Sequence, residues 1–198
     1  MKPIIGIIGR KDYSKTLKQI ELTYKDIIKA VVKSNGIPIT ISSNNFHLYE
    51  NICNGYIFQG GDDPDDNNLK ILKKLQKENK KVLGICLGMQ EMALSNNGEL
   101  YDIHNHQENN LHQITIKRDS TLYKILKKDK ILVNSRHRSA VKITNLQISS
   151  ISEDNIPESI EDSNLDFFIG VQWHPENLYD IDSNSKKIFD YFINICND

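Results

Sequence analysis

Lys81-Val82-Leu83-Gly84-Ile85-Cys86-Leu87-Gly88-Met89-Gln90 is the stretch that decides the fold. Residues 81–86 form a short apolar run that reads as a strand buried on both faces. Residues 87–95 read as a helix that begins directly after Cys86. A strand that turns at once into a helix needs small residues beside the turn, and Gly84 and Gly88 supply them. The pattern is that of a nucleophile elbow with cysteine in the place usually held by serine. The helix N-terminus behind Cys86 favours an anion there, and the Leu87 N–H is free to donate to an oxyanion. The same residues also suit a buried structural cysteine, a common fate of free thiols.

The segments before the elbow alternate in the same way. Residues 2–9 are apolar with Gly breaks, and residues 21–34 carry Leu22, Ile27, Ile28, Val31 and Val32 at amphipathic spacing before the Asn35-Gly36 stop. Short strands follow at 37–41 and 55–58, and 67–79 repeats the helical pattern. Strand and helix in alternation predict an α/β fold, a three-layer sandwich with a mostly parallel central sheet. Such sheets place their sites at the carboxyl ends of strands, where Gly60-Gly61 and Cys86 both fall. From about residue 114 the chain turns strand-rich, with strands expected at 114–117, 131–134, 141–144, 146–151 and 167–172, and a last helix at 183–196. Residues 62–68 and 152–164 read as exposed polar loops. With 198 residues, no repeat and no long linker, one domain over 1–198 is expected.

Composition narrows the function. A net charge of −1 argues against general binding to nucleic acid or to an anionic membrane. No apolar run is long enough to span a bilayer, and the opening run is too short for a signal peptide. Cys53, Cys86 and Cys196 are odd in number and widely spaced, so they fit neither a disulfide framework nor a zinc pattern, and a reducing cytoplasm is expected. No motif requires a cofactor. His104, His106 and His112 cluster in sequence, but their spacings match no metal set, so they read as satisfied or exposed histidines.

Three further segments bear on chemistry. Trp173-His174-Pro175-Glu176 follows an apolar strand-like run and places a base and a carboxylate two residues apart, with Pro175 stiffening the turn. His174 can then serve Cys86 while Glu176 holds the ring, although a surface histidine in a polar turn would look the same. Gly60 and Gly61 let backbone approach a substrate, so Gly61 and Leu87 could form an oxyanion hole; a plain turn is the alternative. Arg136-His137-Arg138 makes a cationic patch suited to carboxylate or phosphate, or else a solvated turn.

Taken together, the motifs resemble the class I glutamine amidotransferase-like superfamily over nearly the whole chain. Within it they resemble the γ-glutamyl hydrolase, or peptidase C26, branch. Lys2-Pro3-Ile4-Ile5-Gly6-Ile7, Asn35-Gly36-Ile37-Pro38, Gly60-Gly61-Asp62-Asp63-Pro64, the Cys86 elbow, 97–103, Asn134-Ser135-Arg136-His137 and the His174-Pro175-Glu176 closing motif carry the match in order. The resemblance implies a flavodoxin-like fold and a cysteine-dependent hydrolase of γ-glutamyl amide bonds that works through a thioester. It implies Cys86 as nucleophile, His174 as base and acid, and Glu176 as the orienting carboxylate, with Gly61 and Leu87 as the oxyanion hole. Gln90 would hold the glutamyl head group beside Gly60, with Ser135 and His137 lining the pocket.

Two departures mark this chain. Where the branch often has an aromatic residue it has Arg136, and where a second histidine and a glutamine often follow His137 it has Arg138 and Ser139. Arg136 and Arg138 suggest an anionic, nucleotide-linked leaving group, as in the γ-glutamyl-CDP-amidate hydrolases of bacterial capsule phosphoramidate synthesis, which this pattern resembles. Hydrolysis there gives glutamate and cytidine diphosphoramidate. The alternatives are a γ-glutamyl-γ-aminobutyrate type of hydrolase and a glutaminase subunit that feeds ammonia to a separate synthetase partner.

Overall fold

The computed structural model describes residues 1–104, 106 and 110–197. The chain opens with β1 (Ile4–Ile8), β2 (Arg10–Tyr13), β3 (Gln19–Leu22), α1 (Lys25–Lys33), β4 (Ile37–Ile41), a short 3₁₀ turn (Ser43–Leu48) and β5 (Gly55–Phe58). It continues through α2 (Asp66–Lys77), β6 (Lys81–Ile85), α3 (Leu87–Ser95), β7 (Glu99–Asp102), β8 (Leu111–Ile116), α4 (Thr121–Leu126) and β9 (Lys130–Asn134). The rest is β10 (Ser139–Ile143), β11 (Gln147–Ser152), β12 (Pro157–Glu161), β13 (Phe168–Val171), α5 (Pro175–Leu178) and α6 (Ser183–Ile195).

A nine-stranded central sheet runs in the order β4-β1-β5-β6-β13-β12-β11-β8-β9. Its first five strands are mutually parallel, and the remaining pairings are antiparallel. The parallel part is what alternating strand and helix dictate, because each helix must cross over before the next strand can pair. β5 and β13 are buried at every residue, so their apolar runs show no polar face. One core joins the sheet to α1, α4 and α6, with Ile7, Ile57, Phe189 and Phe192 buried in it. A second core lies under α2 and α3, around Phe58, Leu72 and Met92. This makes the three layers.

Helix ends follow local chemistry. Asp65 accepts from Asn67 N at 2.8 Å and starts α2, so the acidic stretch 62–68 is only partly a loop. Asp182 accepts from Ser185 N at 2.8 Å and starts α6. Asn35, at φ 73°, ends α1 in a left-handed turn.

Two departures from the sequence reading matter. Residues 152–164 are not an exposed loop, because Pro157–Glu161 is a fully buried strand. Its polar side chains are buried with partners or with other polar groups: Ser159 bonds Ser149 and Ser150 at 2.7 Å each, and Glu161 accepts from Thr121 N at 2.6 Å at the start of α4. The first helix begins at Lys25 and not at 21, because Gln19–Leu22 pairs with Arg10–Tyr13 in a small antiparallel hairpin. That hairpin is exposed and largely polar, so hydrophobic periodicity gives no sign of it. The longest helices are too short and too polar for a membrane: among the described residues none could cross one.

Candidate active site

Adjacent strands bring the site together. β1, β5, β6 and β13 end side by side, with Ile8 opposite Phe58, Phe58 opposite Gly84, and Ile85 opposite Val171. Arg10, Gly60, Cys86 and His174 therefore emerge at one edge of the sheet. Cys86 sits at φ 53° and ψ −107°, a backbone state that L-residues rarely adopt and that costs on the order of 1–3 kcal/mol. The neighbouring glycines let the elbow pack. A Cβ on Gly84 would lie 2.5 Å from Met92 Sδ, and one on Gly88 would lie 2.0 Å from Phe58 O. Gly60 is confined in the same way, since its Cβ would lie 3.0 Å from His174 Cε1.

Cys86, His174 and Glu176 are nearly buried and line one cavity of about 390 Å³. His174 Nδ1–H donates to Glu176 Oε1 at 2.7 Å. Pro175 opens α5 between them and directs the carboxylate back toward the ring. Burial works against a charged imidazole, but hydrogen bonds and charge from Cys86 and Glu176 outweigh it and push His174 up to about 10. Asn134 fixes the backbone of His174, accepting from its N–H at 2.8 Å and donating to its carbonyl at 3.2 Å. Gln172 Nε2 reaches Cys86 Sγ at 3.7 Å. Among the described residues, the N–H groups of Gly61 and Leu87 donate to no other group of the chain.

The sequence-predicted residues divide into two sets. Gly60, Gly61, Cys86, Arg136, His174 and Glu176 share the cavity with Tyr24, Lys25, Asp26, Asp62 and Asn177; Leu87 adjoins it, its Cδ2 lying 3.0 Å from where a Gly61 Cβ would stand. Gln90, Ser135, His137 and Arg138 do not line it. Gln90 Nε2 is turned to Ser139 O at 2.7 Å and Gln172 Oε1 at 3.2 Å. Ser135 is buried and donates to His106 O at 2.8 Å, and His137 is buried beside Glu158. Arg138 is exposed and does not line the cavity, so of the two arginines Arg136 alone lines it, and it donates to Asn177 Oδ1. The alternation of a short extended segment explains this, because residues 135 and 137 face inward where 136 and 138 face out.

Arg10 and Gln172 escaped the sequence reading, as did the role of Asn134. Arg10 pairs with the fully buried Glu91 at 2.8 Å and donates from Nε to the carbonyls of Gln59 and Gly60 at 3.1 Å each, which fixes the loop that presents Gly61. An arginine directly after an apolar strand, and a polar residue directly before Trp173-His174, were the available signals. His104 is exposed, whereas His106 and His112 meet His137 around Glu158, a grouping that sequence spacing does not reveal.

Comparison with known proteins agrees with this architecture. The family model for peptidase C26 matches residues 63–176. Protein NtpR of Enterococcus hirae is 28% identical over 98% of this chain and 99% of its own length. The gamma-glutamyl-gamma-aminobutyrate hydrolase PuuD of Escherichia coli is 25% identical over 83% of this chain and 72% of its own. Among solved structures, the glutaminase domain of Trypanosoma brucei CTPS superposes with a TM-score of 0.72 at 17% identity, covering 98% of this chain and 94% of that one, a likeness of fold.

Proposed function

Because the chain belongs to the peptidase C26 family, we propose that it hydrolyses a γ-glutamyl amide-type bond with Cys86 as nucleophile. The observation that carries this is the meeting of a cysteine in a strained elbow with a Glu176-bound His174 in one cavity. Against the effect of burial, Cys86 and Glu176 raise the proton affinity of His174, which suits it to take the proton of Cys86. The thiolate attacks the γ-carbonyl carbon and forms a C–S bond, and the carbonyl electrons move to oxygen. The Gly61 and Leu87 N–H groups receive that oxyanion. When the C–N bond breaks, the imidazolium gives its proton to the leaving nitrogen. Water, deprotonated by the now neutral His174, attacks the thioester carbon, the C–S bond breaks, glutamate departs, and the thiolate–imidazolium pair is restored.

The finer reading concerns the leaving group. Arg136 and Lys25 line the cavity, and they support an anionic group such as the nucleotide diphosphate of γ-glutamyl-CDP-amidate. Asp26 and Asp62 also line the cavity and suit the ammonium of the glutamyl moiety. The test is glutamate release from glutamine, γ-glutamyl-γ-aminobutyrate, a γ-glutamyl peptide and γ-glutamyl-CDP-amidate, each with a Cys86→Ala control. Selectivity for the nucleotide that falls in Arg136→Ala supports the anionic reading. Preference for the aminobutyrate substrate, indifferent to Arg136, removes it. Cys86-dependent turnover of glutamine alone would redirect the search to a synthetase partner.

A further inference from the structure

We propose that the chain binds one divalent ion of the zinc class at a second site, with His106, His112, His137 and Glu158 as ligands. This site is independent of the reading of Cys86, and none of the four residues lines that cavity. They come from four separate places: the stretch after β7, β8, the turn between β9 and β10, and β12. His106, His112 and Glu158 offer ligand atoms within 4.8 Å of one another. From Glu158 Oε1, His112 Nε2 lies at 3.1 Å, His106 Nδ1 at 3.6 Å and His137 Nε2 at 3.7 Å. Tetrahedral zinc with bonds of about 2.0–2.1 Å needs ligand-to-ligand edges of roughly 3.3–3.5 Å. The three separations from Glu158 bracket that, and the wider spread of the cluster, within 4.8 Å, would close by side-chain rotation on binding.

Hydrogen bonding decides between an ion and an ordinary polar cluster. None of these three ring nitrogens meets either Glu158 oxygen at a good hydrogen-bond angle, although against the effect of burial the closeness of His112 and His137 holds the Glu158 carboxyl below its usual range. The opposite ring nitrogens of His106 and His137 are engaged. His137 Nδ1 lies 3.1 Å from Ser139 O, a carbonyl that can only accept, so Nδ1 carries the proton. His106 Nε2 lies 3.0 Å from the Asp154 carboxylate and donates to it likewise. With those protons placed, His106 Nδ1 and His137 Nε2 face a carboxylate oxygen, and either a second ring proton or a metal cation must lie between them. Carboxylate–histidine pairs of this kind orient metal ligands elsewhere.

Protons alone fit less well. They would require imidazolium rings packed with centroids 4.8 and 4.9 Å apart. One dication satisfies all three lone pairs, and with Glu158 and Asp154 its formal charge sums to zero. Four protein ligands leave no open position, which makes the site structural. It would hold the turn after Asn134, the residue that fixes the His174 backbone.

The test is titration of chelator-treated full-length protein with Zn(II) by calorimetry, and with Co(II) to read tetrahedral d–d absorption. One equivalent bound more tightly than about 1 µM is expected. Binding should persist in Cys86→Ala, weaken about 10–100-fold in Asp154→Ala, and disappear in His112→Ala. Asp154 is half exposed, so its replacement leaves the core intact. Absence of binding to the wild-type chain would overturn the proposal in favour of a protonated cluster. Binding lost in Cys86→Ala but kept in His112→Ala would overturn it too, by placing the ion on the thiol.

Discussion

Replacing Glu91 with alanine should destabilise the protein more than any surface change. Glu91 is fully buried and accepts from Arg10 Nη1 at 2.8 Å and Nη2 at 3.0 Å, from Asn68 Nδ2 at 2.9 Å and from Asp65 N at 3.1 Å. Removing it strands the Arg10 guanidinium, itself 9% exposed, without a counter-charge. Breaking one partner of a buried pair typically costs about 3–5 kcal/mol. For a chain of this size that corresponds to a fall in Tm of roughly 6–20 °C. Urea unfolding and calorimetry read the loss directly. Arg10→Met/Glu91→Leu should recover part of it, because no buried charge is left alone. It should still lower kcat, because Arg10 also fixes the Gln59 and Gly60 carbonyls. A loss below about 1 kcal/mol in Glu91→Ala would refute the argument that this pair organises the loop.

Gly60→Ala should keep the fold but lower kcat/KM roughly tenfold or more, since the new Cβ would stand 3.0 Å from His174 Cε1 and displace the ring; unchanged kinetics with an unchanged Tm would contradict this. Burial lowers the affinity of His174 for a proton, and Cys86 and Glu176 raise it to about 10, so the alkaline limb of kcat/KM should lie near that pH. Glu176→Gln removes one raising partner and should move the limb to lower pH, which a pH–rate profile measures. The same raised value means that stability linked to His174 is complete below its ordinary 6.5 and is lost as pH climbs through about 10. Denaturant midpoints across that window should fall in the wild type and fall less in His174→Ala.

Much of this was legible because the site hangs on parallel strands. An apolar run followed by Gly-x-Cys-x-Gly fixes the strand, the turn and the helix in one segment, and β6 and α3 follow from residues 81–95. His174 and Glu176 were legible for the same reason, as polar residues at the end of a buried strand. Arg10 was not, because its partner Glu91 lies 81 residues away and looks like a helix-surface carboxylate in sequence. The strand at Pro157–Glu161 was missed because Glu158 and Glu161 signal exposure unless their partners are known. The three histidine rings at ion-pair distance from Glu158, and the start of α4 that Glu161 caps, are supplied only by the fold. Gln90, Ser135 and His137 occupy motif positions, yet here they support neighbouring segments and not the cavity wall.

The most direct test of the thiol chemistry uses the three free cysteines against each other. Burial pushes Cys53 up to about 11 and Cys196 up to about 12, so both should resist alkylation at neutral pH. Time-resolved iodoacetamide labelling with peptide mapping, run beside glutamate release, should find Cys86 modified first and activity lost in step with it. Labelling of Cys86 no faster than Cys53, or glutamate release that survives complete modification of Cys86, would contradict the account.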